Sequence, residues 1–278
     1  MPYPESIHRK ILQVWRSPEA PVLRKLRETR FVAHNIPLGE NFGTRPGEPL
    51  ISESPRAKAI HDSLERFVRP TLSGKTALDL GCLEGGLAFE LCRAGLNVLG
   101  VEGREENFQK CLLIGEYYKA VGGLDFSLQD VREFKPRSSF DVVLCSGLLY
   151  HLEDAASYIG ELGRLTSADG MLFLDTHVAP EDADLERSVF RELLSALRTA
   201  RIDGLEVRYR EYKEDVLQPE SSIGNTTSMW MDTPSHLELL CRAGFGRVFE
   251  LHGYFGPDEQ AVKRKYSRRY FVALKEPA

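Results

Sequence analysis

The chain has 278 residues, with 36 Lys and Arg against 41 Asp and Glu, a net charge of −5, and 42 % apolar and 28 % charged residues. This is the composition of an ordinary folded protein of one large domain or one domain with additions, and it excludes collagen, a coiled coil or general disorder. The acidic balance argues against a polyanionic partner, and the lack of an apolar run of roughly 18 residues argues against a membrane span.

In chain order, helical spacing is expected from about Ser6 to Arg16 and from Val22 to Thr29, each after a proline-containing turn. Residues 35–56 hold four prolines and three glycines, which marks an irregular segment, before helical spacing resumes from Ala57 to Val68. From Thr76 the texture changes to short apolar runs, TALDL, NVLGVE, LDFSLQD, FDVVLCS and GMLFLDT. Helical stretches near Gly86–Ala94, Arg104–Val121 and Ala155–Leu165 lie among them. Alternating strands and helices imply an α/β fold with a parallel sheet and right-handed crossovers. After His177 the pattern breaks: a helix is expected near Asp184–Thr199, a strand at LEVRYREY, and a polar loop at QPESSIGNTTSMWMD. A helix from Pro234 to Ala243 follows, and RVFELHG and RRYFVALK suit an antiparallel pair. The expected organisation is an N-terminal helical appendage or lid over 1–72 and a second domain over 73–278, interrupted by an insertion at 178–231.

The opening residues, MPYPESIHRKILQVW, lack the apolar core of a secretory signal, so a cytoplasmic setting is expected. Cys82, Cys92, Cys111, Cys145 and Cys241 form no C-x-x-C pair, which suits reduced, mostly buried thiols and no metal site.

The first strand runs into Asp79-Leu80-Gly81-Cys82-Leu83-Glu84-Gly85-Gly86, a glycine-rich turn that lets a ligand approach the backbone. Asp79 and Glu84 flank the glycines, and two carboxylates there would repel a pyrophosphate, which disfavours a nicotinamide dinucleotide. A ligand with a cationic head is favoured instead, and S-adenosylmethionine carries both an ammonium and a sulfonium. Glu102 ends the second strand 23 residues after Asp79, where open α/β sheets place an acid on ribose hydroxyls. Asp130 closes the third run and Ser146-Gly147 the fourth, so four successive strand ends carry polar groups at the edge where such sheets bind ligands. Two histidines also follow strand ends, His151 and His177, and histidine is the natural base near neutral pH.

This constellation resembles the class I S-adenosylmethionine-dependent methyltransferases over Thr76–His177, and by strand order at the C-terminus. The resemblance implies a Rossmann-like, seven-stranded, mostly parallel sheet with an antiparallel last strand. It also implies that Asp79, Gly81 and Gly85 lie along the methionine end of the cofactor, Glu102 on the ribose, and Asp130 and Val131 at the adenine edge. Leu83 departs from the family, which usually has glycine there. The Leu-Glu-Gly-Gly turn with GLLYHLED and LDTH is also loosely similar to the subgroup containing wobble-uridine tRNA-modifying enzymes. The expected activity is methyl transfer to oxygen or nitrogen of a small-molecule acceptor, with His151 and His177 as candidate bases and nucleic acid not expected as a partner. A tRNA-modifying enzyme and a non-catalytic adenosylmethionine-binding protein are the alternatives. The first is favoured by the basic cluster Lys263, Arg264, Lys265, Arg268 and Arg269, the second by Leu83. Asn225, Trp230 and Met231 in the insertion, and Tyr3, Trp15, Phe31 and His34 near the N-terminus, are expected mainly as local core.

Overall fold

A computed structural model describes residues 4–16, 21–68, 72–218 and 220–276; Tyr3 lies outside them. The helices are α1 Glu5–Trp15, α2 Pro21–Glu28, α3 Pro55–Phe67, α4 Gly86–Arg93, α5 Glu105–Tyr117, α6 Ala155–Leu165, α7 Asp182–Leu185, α8 Thr233–Arg242 and α9 Glu259–Tyr266. The strands are β1 Thr76–Leu80, β2 Asn97–Glu102, β3 Leu124–Leu128, β4 Phe140–Ser146, β5 Thr166–His177, β6 Arg198–Ile202, β7 Leu205–Lys213, β8 Thr227–Met231, β9 Phe245–Glu250 and β10 Arg268–Lys275. One seven-stranded sheet has the order β3-β2-β1-β4-β5-β10-β9, the expected mostly parallel arrangement with an antiparallel end.

Two compact units divide the chain, residues 1–135 and 136–278. In the first, β1, β2 and β3 pair in parallel, and Ala77, Leu78, Leu80 and Val101 are buried. Apolar positions on both sheet faces produce the runs that mark β1 and β2 in the sequence, whereas β3, at the sheet edge, is half-buried or exposed along its length. The same unit contains α1 to α3, and Trp15 Nε1 donates to the Tyr118 hydroxyl at 3.0 Å. Phe31 and His34 are buried as expected.

In the second unit β4 and β5 pair in parallel, and β10 lies antiparallel to both β5 and β9. The insertion forms a separate antiparallel sheet in the order β6-β7-β8. Here the sequence reading needs correction. The expected helix at 184–199 is only the short α7, a single 3-10 turn at Arg191–Leu193, and the start of β6. The expected polar loop contains β8, whose pairing with β7 supplies the order that its sequence lacks. All five cysteines are free; four are buried and Cys241 is exposed. Among the described residues no helix is long and apolar enough to cross a membrane.

Candidate functional site

In the first unit, the turn after β1 takes left-handed backbone at Gly81, Leu83 and Gly85, with φ of 65°, 54° and 78°. Glycine adopts this region freely, whereas leucine there is uncommon and costs energy. The leucine is pinned in place: its N–H donates to Glu102 Oε2 at 2.8 Å, and its carbonyl accepts from the Cys111 thiol. Gly85 is also required for space, since a Cβ there would stand 2.8 Å from Phe126.

Four amides of this turn already have partners. Cys82 N–H donates to the Val101 carbonyl, Leu83 N–H to Glu102, Gly85 N–H to the Cys82 carbonyl, and Gly86 N–H to His34 Nδ1. A phosphate cradle needs such amides free. The turn is therefore unsuited to a pyrophosphate, for a reason stronger than the carboxylate repulsion expected from sequence. Glu84 in fact plays no part in that repulsion. It is fully buried and accepts from the backbone N–H groups of Val32, Ala33 and His34 at 2.8, 3.0 and 2.9 Å and from Lys110 Nζ at 3.0 Å. Burial pushes its carboxyl up, but these donors outweigh that and hold it below the ordinary glutamate range.

Asp79 is buried, and burial pushes its carboxyl up to about 7. One oxygen accepts from the Ala88 amide, while Oδ2 has no hydrogen-bond partner. A buried acceptor without a donor is costly unless a ligand or water completes it, and an ammonium is the donor best matched to a carboxylate. Glu102 is also buried and held above its ordinary value by burial. Its Oε1 accepts from the Arg104 amide at 2.9 Å and its Oε2 from Leu83. The Asn107 side chain donates to it as well, and since a carboxylate offers about four acceptor sites the group still has capacity for a hydroxyl donor. The residues present thus fit an adenosyl cofactor with an amino-acid tail. Asp130 forms a two-pronged ion pair with Arg132, which keeps its carboxyl below the usual range. Val131 beside it is buried.

In the second unit, β4 and β5 end in a hydrogen-bonded group. Ser146 Oγ donates to Asp175 Oδ2 at 3.1 Å, and Arg268 grips both oxygens of Asp175 at 2.6 and 2.8 Å. Burial works against the Arg268 charge, yet the Asp175 carboxylate holds it more firmly protonated than usual. His177 donates from Nδ1 to the Tyr266 carbonyl at 2.7 Å and stacks on Trp230 with ring centroids 4.6 Å apart. Burial, then the Arg268 charge, lowers its pKa to about 3, so it is neutral at physiological pH. Tyr212 also stacks on Trp230, and Tyr150 and Phe190 pack edge-on against His177. Trp230 and Met231 are buried here, as the sequence suggests.

His151 has a different environment. Its Nδ1 lies 2.9 Å from Glu214 Oε1, and Glu214 itself accepts from Ser228 Oγ at 2.7 Å. The Asn225 side chain donates to the His151 carbonyl, fixing the backbone. A carboxylate on one ring nitrogen sets the tautomer, placing the lone pair on Nε2. Glu214 escapes sequence reading because it stands 63 residues away, joined to His151 only through the insertion. The basic cluster, in contrast, is largely paired internally. Lys263 binds Glu250 and Glu259, Arg268 binds Asp175, and Arg269 approaches Glu250.

Residues 78–174 match a family model described as a methyltransferase domain. A ubiquinone biosynthesis O-methyltransferase of Bradyrhizobium sp. (strain ORS 278) is 30 % identical over 105 residues, 38 % of this chain and 41 % of that protein. The enzyme of the same description from Neisseria meningitidis serogroup A is 32 % identical over 109 residues, 38 % of this chain and 45 % of that one. The chain thus aligns with less than half the length of these relatives. Among solved structures, the N-terminal domain of EvdMO1 with SAH bound superposes with a TM-score of 0.64 at 24 % identity, covering 92 % of this chain and 95 % of that one. The Burkholderia thailandensis 1,6-didemethyltoxoflavin-N1-methyltransferase gives 0.51 at 15 % identity, covering 81 % and 79 %. Residues 78–174 thus form a methyltransferase domain, in a chain with the fold of the class I S-adenosylmethionine-dependent methyltransferases.

Proposed function

We propose that this chain transfers a methyl group from S-adenosylmethionine to oxygen or nitrogen of a small-molecule acceptor, a hydroxyl being the group its residues suit best. The observation that carries the donor assignment is the unpartnered Asp79 Oδ2 beside a glycine turn in which the amides of Cys82, Leu83, Gly85 and Gly86 are already engaged. It supports a cationic ligand and disfavours a pyrophosphate. The relatives' descriptions as O-methyltransferases and the neighbours' bound SAH point the same way.

When bound, the cofactor supplies a methyl carbon made electrophilic by its sulfonium. Asp79 receives the ammonium, directly or through water, and Glu102 takes the ribose hydroxyls. Asp130 and Val131 stand at the adenine edge, and Gly81 and Gly85 let the ligand approach the backbone. His151 would serve as base, its Nε2 taking the proton of the acceptor's hydroxyl, and Glu214 would steady the resulting imidazolium. With a pKa of about 3, His177 is a weak proton acceptor, and its role is to wall the site with Trp230.

Calorimetry tests the donor assignment. S-adenosylmethionine and its demethylated product are expected to bind and NAD is not. With its carboxyl at about 7 in the free protein, Asp79 must lose a proton to meet an ammonium. Affinity for S-adenosylmethionine should therefore weaken as pH falls below about 7, by up to about tenfold per pH unit. A dissociation constant flat between pH 5 and 8, or NAD binding alone, overturns the assignment.

The acceptor is read as small because the basic cluster offers little free charge to a polynucleotide. Several phosphate contacts would cost about 1,000-fold or more in affinity between low and moderate salt. Titration of tRNA across a salt series is expected to show weak binding without that slope. Tight, steeply salt-dependent binding with methyl incorporation into tRNA establishes the tRNA-modifying alternative instead.

A further inference from the structure

The first unit holds an arrangement that donor chemistry alone does not require. Three consecutive backbone N–H groups, those of Val32, Ala33 and His34, converge on the Glu84 carboxylate, inside the glycine turn. The next link in the same segment runs the other way, with the Gly86 amide donating to His34 Nδ1 at 3.0 Å. The two partners fit closely, since a Cβ on Gly86 would stand 2.7 Å from the His34 ring. Beyond His34 the segment folds on itself. Thr44 Oγ1 donates to the His34 carbonyl and accepts from Ile36 N–H, and Asn35 Oδ1 accepts from Arg45 N–H. Tyr117 and Tyr118 of the α5 end hold the carbonyls of Leu38 and Pro37.

We infer that residues 31–45 are a strap whose seating on Glu84 and Gly86 is coupled to donor binding, with Glu84 and His34 acting as positioning residues for the turn. The inference rests on the donor reading above. Its physical basis is the strained backbone of the turn. A leucine at φ 54° between two left-handed glycines persists only where its surroundings over-determine it. Glu102 holds one side, through Leu83, and the strap holds the other, through Glu84 and Gly86. With the strap released, the turn spends less time in its binding shape, and apparent affinity falls by that fraction. Coupling is reciprocal, so a donor that selects the ordered turn must also tighten the strap by the same factor.

Hydrogen exchange on the full chain, with and without S-adenosylhomocysteine, tests this together with calorimetry on Glu84→Gln and His34→Ala. The amides of Val32, Ala33 and His34 are expected to exchange about 5- to 150-fold more slowly with ligand, the usual range of such couplings. Each variant is expected to bind the ligand more weakly by a comparable factor. A purely structural strap gives a different result: the variants lose thermal stability, yet the ligand leaves strap exchange unchanged in the unaltered chain. That result overturns the inference even where a variant does not fold, because it is read on the unaltered protein. No ligand binding to the unaltered chain overturns the donor reading, and the inference with it.

Discussion

His151→Ala is expected to lower the single-turnover rate of methyl transfer about 100- to 10,000-fold while leaving affinity for the methyl donor unchanged. The range is that of a lost general base. In the proposed role the carboxylate of Glu214 holds Nδ1 and leaves the lone pair of Nε2 to take the proton. Glu214→Gln should lower the rate less and act through orientation, with the effect on kcat rather than on KM, and Glu214→Asp should recover part of it. His177→Ala makes the contrast. With its Nδ1 donated to the Tyr266 carbonyl and its ring against Trp230, that histidine contributes packing. Its removal should raise the KM for the acceptor more than it lowers kcat. Equal losses of kcat in the two histidine variants would show that His177 shares the proton transfer. Full activity of His151→Ala at every pH would leave positioning as the whole mechanism, as a strongly electrophilic methyl group allows.

How far the sequence could carry this picture depends on whether order came from local pattern or from distant contact. The core strands are legible because burial on both faces forces unbroken apolar runs such as Leu172–Leu174, and α6 falls on its expected residues, Ala155–Leu165. The insertion is not legible in the same way. Thr227–Met231 becomes a strand only because β7 lies beside it, and α9 is a charged segment, EQAVKRKY, held by the buried Lys263 with Glu250 and Glu259. The strand ends at Glu102 and Ser146, and Asp130 two residues past β3, can be read from spacing, but their partners cannot. His151 meets Glu214 across 63 residues, and Gly86 meets His34 across 52. Glu84 shows the risk most plainly: a carboxylate among glycines reads as a charge facing the ligand, whereas three backbone donors and Lys110 turn it into a structural tie.

Glu102→Ala is expected to weaken S-adenosylhomocysteine binding by more than one hydrogen bond accounts for. Loss of a charge-assisted bond to the ribose hydroxyls costs roughly 1.5 to 3 kcal/mol, or about 10- to 150-fold in affinity. The same carboxylate also accepts from Leu83 and Arg104, so alanine removes the pin on the left-handed leucine and unties the start of α5. The binding loss should therefore sit at or beyond the upper end of that range and come with a lower melting temperature. A second substitution separates the two contributions. In the Glu102→Ala background, Leu83→Gly places at φ 54° a residue that needs no pin there. If turn geometry matters, the double variant regains part of the affinity that the single variant lost, although glycine alone adds no contact. A strictly additive pair assigns the whole effect to the ribose bond. Unchanged affinity in Glu102→Ala would instead remove this strand end from the donor site.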